Sequence, residues 1–148
     1  MSRRVLRGFD RDAFTQAIND SGLSVSDIAR GADIGTATIH AWKRGSATPQ
    51  VDFLARVMGL LEIPIEAVVP IPADERFPGD WRVIRGMTQP ALAAAARIAT
   101  TTLRGIERAD IALTEKNAAE LSALLDLDAA VYKEAYSRAR KRAPGTPV

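Results

Sequence analysis

At 148 residues the chain can form one ordinary domain or two small ones, and with 47% hydrophobic and 26% charged residues it has the composition of a soluble globular protein. Ala and Leu are frequent and aromatics make up only 5%, which favours helix over sheet and predicts an all-α fold. The absence of cysteine excludes a disulfide framework, a thiolate nucleophile and Cys-ligated zinc, and a net charge of +2 does not by itself demand a polyanionic partner.

The basic start of the chain lacks the apolar run of a signal peptide, and no stretch approaches the ~20 apolar residues needed to span a bilayer. The expected location is therefore the cytoplasm, with no membrane contact. Arg3, Arg4 and Arg7 crowd the N-terminus, and Lys133, Arg138, Arg140, Lys141 and Arg142 crowd the C-terminus. These ends read either as basic arms or as solvated, frayed termini.

Taken in chain order, Phe9, Ala13, Phe14, Ala17 and Ile18 fall at helical spacing and predict a first helix from about Asp10 to Ser21, stopped at Gly22. Ser24 and Asp27 form an S-x-x-D arrangement that starts a second helix near Val25. Ile28, Ala29 and Ala32 give that helix its inward face, and Ile34, Ile39 and Trp42 do the same for a third helix beginning after Gly35. The short turn between them suits two helices that cross steeply. Gly45 supplies a left-handed end to the third helix, and Thr48-Pro49 predicts a fourth with a hydroxyl N-cap and proline in its first turn. Val51, Leu54, Ala55, Val57, Met58 and Leu61 close the core, and Pro64 permits a last short helix carrying Ile65 and Val68.

The segment from Leu23 to Gly45, with Ser24, Asp27, Ala29, Ile39, Trp42 and Arg44-Gly45 in that order and Thr48-Pro49 after it, resembles the Cro/CI (XRE) family of helix-turn-helix proteins. The resemblance implies a lambda-repressor-like five-helix bundle whose third helix enters the major groove of double-stranded DNA. It departs from the family at Asp33, where a turn glycine is usual, and at Val25, where a phosphate-contacting Gln is frequent; the hydroxyls of Ser24 and Ser26 are candidates to replace that contact. With Ile39 and Trp42 buried, Thr36, Ala37, Thr38, His40, Ala41, Lys43 and Arg44 are left outward and are assigned to DNA. By the family's docking, Thr36, Ala37 and Ala41 face base edges, and His40, Lys43 and Arg44 face phosphates. His40 is the only histidine and has no second ligand nearby in sequence, so no metal is expected, and no cofactor.

After Val68 the run 69–79 holds three prolines that remove backbone donors and fix φ, and it reads as a linker between a first domain, 1–68, and a second, 80–148. Fully extended at about 3.3 Å per residue it reaches on the order of 36 Å, similar to the ~34 Å between half-sites one DNA turn apart. Residues 23–68 laid over 87–132 pair identical residues at Ala29/Ala93, Ala32/Ala96, Ile34/Ile98, Thr36/Thr100, Thr38/Thr102, Arg44/Arg108, Ala55/Ala119, Leu60/Leu124 and Leu61/Leu125, mostly at apolar positions. A tandem pair of bundles follows. In the second, Thr88 is the N-cap, Gln89 takes the phosphate-contacting position, and a helix from Ala99 to Arg108 presents Thr100, Thr101, Thr102, Arg104 and Arg108 outward. Its first helix is short, about Asp80 to Arg85, Arg97 stands where φ > 0 is needed, and Gly105 interrupts the helix. The copy either adds DNA contacts or is kept for packing or dimer contacts. Thr114 caps a further helix through Leu125, and Asp128 starts another that carries Tyr132 and Tyr136 before the basic tail.

The chain has no Gly-rich phosphate loop, no paired His ligands and no Ser-centred nucleophile elbow, so no catalytic residues and no enzyme activity are expected. The expectation is a sequence-specific transcriptional regulator, with double-stranded DNA as partner and a homodimer or a regulatory protein partner left open. The alternative is a protein-interaction module, antiactivator-like or antitoxin-like, that keeps the fold without base readout.

Overall fold

The computed structural model describes residues 5–148, and among these the chain is all-helical, with nine α-helices, two short 3-10 turns and no strand. Arg3 and Arg4 lie outside the described residues. No helix among them is long and apolar enough to cross a membrane. The chain divides into two compact units, Met1–Pro70 and Ile71–Val148.

In the first unit the caps set the helix bounds. Asp10 turns its carboxylate to the amides of Asp12 and Ala13, both at 3.0 Å, and starts α1 (Arg11–Ser21), which Gly22 ends at φ 71°. Ser24 Oγ accepts from the Asp27 amide at 3.0 Å and starts α2 (Val25–Ala32). Asp33, at φ 56°, makes the left-handed turn into α3 (Thr36–Arg44), so the aspartate adopts the conformation for which a glycine is usual. Gly45 closes α3 at φ 80°. The fourth helix, α4, runs Val51–Leu61 and is followed by a 3-10 turn at Ile65–Ala67. Its N-cap is Gln50 rather than Thr48, because the Thr48 hydroxyl is taken by the Leu6 amide at 2.8 Å. Phe14, Ile18, Ile28, Ala29, Ile39, Trp42, Leu54, Val57, Met58 and Val68 are buried as the core of this unit. The Asp10 amide donates to Val68 O at 2.8 Å, tying the entry of the bundle to its exit.

Replacing Ser24 with alanine removes the acceptor from an orphan helix amide and is expected to destabilise the first unit by about 1 kcal/mol. Chemical denaturation checks this, and an unchanged midpoint would remove the cap from the argument.

The second unit comprises a 3-10 turn at Ala73–Glu75, α5 (Pro78–Ile84), α6 (Gln89–Ala96), α7 (Thr100–Glu107), α8 (Glu115–Leu124) and α9 (Ala129–Lys141). Its core joins Trp81, Leu92, Ala93, Leu103, Ile106, Leu121, Leu125, Tyr132 and Ala135. Residues 69–79 are not an open spacer. Val69 is buried, Ile71, Phe77 and Pro78 are buried, and the Arg76 guanidinium donates to Ile71 O at 2.9 Å and stacks 4.4 Å from the Trp81 ring. Proline does stop a helix here, but the apolar residues between the prolines have a core to enter. Pro78 itself begins α5, with the Asp80 carboxylate accepting from the Phe77 amide at 2.8 Å.

The spacing of 64 residues recurs in backbone shape. Asp33 and Arg97 are left-handed at φ 56° and 58°, and Glu62 and Asp126 at φ 57° and 56°. The amide of Ile34 bonds Ala29 O at 2.9 Å as that of Ile98 bonds Ala93 O at 3.0 Å. Ile28/Leu92, Ala29/Ala93, Ile39/Leu103, Trp42/Ile106 and Val57/Leu121 are buried in both. The ends diverge, because the 3-10 turn of the first unit corresponds to the start of the 13-residue α9 in the second.

Candidate nucleic-acid interface

The orientation of α3 follows from two residues. Ile39 and Trp42 are buried, and the Trp42 ring meets Phe14 of α1 edge-on, with centroids 5.8 Å apart and planes at 63°. That anchor leaves Thr36, Ala37, Thr38, His40 and Arg44 exposed and Ala41 and Lys43 half-buried. The helix carries no carboxylate in its first turn and ends on Lys43 and Arg44, cations that suit its negative end. Ser24 and Ser26 are exposed at the start of α2. The Ser24 oxygen accepts the capping bond, and its proton can still be donated. Arg30 on the same helix is paired with Asp27 at 2.7 Å. That hydrogen bond, and then the one from Ser24, hold the Asp27 carboxyl below the usual carboxylate range.

Arg11 is a residue that sequence pattern does not single out. Its guanidinium, exposed at the start of α1, donates to the carbonyl of Arg44 and so brings a further cation to the end of α3. The two residues are 33 positions apart and on different helices, so only the tertiary fold brings them together. Among the described residues no three His, Asp or Glu side chains gather where they can hold a metal ion.

The second unit treats the corresponding positions differently. Thr101 and Arg104 are exposed and Thr100 is half-buried on α7. The Gln89 amide donates inward to Glu107 Oε1 at 2.9 Å. Glu107 is in turn held by Arg82 at 2.7 Å and 3.1 Å, with the pair only 12% and 6% exposed, while Arg82 also donates to Met87 O at 2.9 Å. Burial first, with the Glu107 charge adding to it, pushes the Tyr132 hydroxyl far above its ordinary range, so it stays neutral. Arg108 pairs with Asp110 at 3.1 Å.

The basic C-terminus is not a loose arm as far as its arginines are concerned, because α9 continues to Lys141 and their guanidiniums are donors to backbone carbonyls. Arg138 bonds Arg76 O at 3.0 Å, Arg140 bonds Ala109 O at 3.1 Å, and Arg142 bonds Arg108 O at 2.7 Å. Lys133 pairs with Glu115 at 2.7 Å. These charges fasten the second unit to itself. No protein-family model matches the chain, and no curated protein or solved structure matches it.

Proposed function

We propose that the chain is a sequence-specific, double-stranded-DNA-binding transcriptional regulator of the Cro/CI (XRE) helix-turn-helix type, with α3 of the first unit as the helix that enters the major groove. One observation carries this reading: α3 is pinned from beneath by Ile39 and Trp42, while Thr36, Ala37, Thr38, His40 and Arg44 are exposed along its other side with no acidic residue among them. A rigid helix with hydroxyls and methyls toward its start and cations at its end has the chemistry of groove insertion: small groups against base edges, cations against phosphates. Arg11, Lys43 and Arg44 supply the phosphate contacts, and Thr36, Ala37 and Ala41 the base contacts.

Binding to a duplex selected by the full chain from a random library tests the reading. Arg44→Ala is expected to weaken binding to every duplex several-fold and to reduce the slope of log K against log salt by about 1. Thr36→Ala and Ala41→Gln are expected to change the ranking of duplexes instead. Enrichment of no duplex, or binding unmoved by all three substitutions, would leave the chain as a protein-interaction module.

A further inference from the structure

Position by position, the second unit repeats the backbone of the first and changes what its third helix offers to a ligand. Lys43 at the end of α3 corresponds to Glu107 on α7, which is withdrawn into the ion pair with Arg82. Gln89, at the position expected to touch a phosphate, is spent on the same carboxylate. Ala41, half-buried and accessible on α3, corresponds to Gly105, which is buried.

The cover over Gly105 is Ile111. A Cβ built on Gly105 would sit 2.5 Å from Ile111 Cγ1 and 3.2 Å from its Cβ, so the isoleucine side chain occupies the space above the glycine. The loops share a geometry: the amides of Ser46 and Ala47 bond Ala41 O as those of Asp110 and Ile111 bond Gly105 O. The first unit therefore places Ala47 beside Ala41 where the second places Ile111 beside Gly105, a larger residue over a smaller one. The loop carrying Ile111 is also held in place by α9, through Tyr136 Oη to Ile111 O at 3.0 Å, Arg140 to Ala109 O and Arg142 to Arg108 O. Among its described residues the first unit has no counterpart of α9, and its chain makes only a 3-10 turn at that point.

We infer that α7, closed at Gly105 by Ile111 and with Gln89 and Glu107 spent on internal bonds while Thr101 and Arg104 stay exposed, does not enter a groove, so that each chain occupies a single DNA half-site through α3 and an operator with two half-sites is filled by two chains. This rests on the DNA-binding reading of the first unit. The covering loop closes the Gly105 position of the α7 face, and the exchange of Lys43 for Glu107 removes a phosphate-seeking cation from the end of the helix, the carboxylate being neutralised in its buried pair with Arg82.

The experiment uses the full chain and a duplex it has selected from a random library. Guanine N7 methylation interference reports which stretches of major groove a bound chain needs, and native mass spectrometry of the same complexes counts chains per duplex. The expected result is one interfering stretch per bound chain, and two chains on any duplex in which two stretches one helical turn apart both interfere. A single chain that requires two such stretches overturns the inference and leaves the DNA-binding reading standing. A selection that enriches no duplex, or interference unaltered in Arg44→Ala complexes that bind as tightly as the parent, overturns the reading itself and the inference with it.

Discussion

Replacing Trp42 with alanine is expected to destabilise the first unit by about 3–5 kcal/mol, the range for emptying a buried aromatic position. The side chain is 2% exposed and packs edge-on against Phe14, itself fully buried and 5.6 Å from Phe9, so its removal opens a hole lined by α1 and α3 that the small residues of α2 cannot fill. Domains are stable by only about 5–15 kcal/mol in total, so a loss of this size is a large share of what holds the unit folded. Because Trp42 is one of only two buried side chains on α3, DNA affinity is expected to fall together with stability. Far-UV circular dichroism in denaturant measures the first effect, and an unfolding free energy lowered by less than about 1 kcal/mol would contradict the packing.

In the second unit the largest loss is expected from Glu107→Ala, at about 3–5 kcal/mol, because it strands the Arg82 guanidinium in a nearly dry site. Arg82 keeps only its bond to Met87 O, and Gln89 loses its acceptor at the same stroke. The double replacement Arg82→Met/Glu107→Met is expected to recover most of that loss, since a buried ion pair costs about as much to desolvate as its attraction returns. A double variant as unstable as Glu107→Ala would mean that the site depends on the charges themselves, and a harmless Glu107→Ala would mean that the carboxylate is not the hub of α5, α6 and α7.

Much of the helical framework is legible in the sequence because its signals are local. Ser24, Thr88 and Thr114 cap the helices they precede, Gly22 and Gly45 end theirs, and the spacing of 64 residues picks out the same left-handed turn at Asp33 and at Arg97. What pattern misses is decided by distant partners. Thr48 looks like an N-cap until the Leu6 amide, 42 positions away, takes its hydroxyl. The run 69–79 looks like a spacer because proline density reports lost donors and says nothing of where Ile71 and Phe77 go. The C-terminal arginines look like an arm because their carbonyl partners lie 31 to 62 positions upstream. At the candidate interface the inward and outward sides of α3 follow from the 3.6-residue period, whereas the recruitment of Arg11 and the burial of Gly105 under Ile111 depend on contacts no periodicity encodes.

The two tryptophans of the chain fall one to each unit, Trp42 at 2% exposure and Trp81 at 7%. Their surroundings differ, one indole meeting a phenyl edge and the other lying under the Arg76 guanidinium. Each half of the molecule thus contains its own built-in fluorophore, and the melting of either half can be followed in the intact chain, without a dye, by silencing one indole and watching the other.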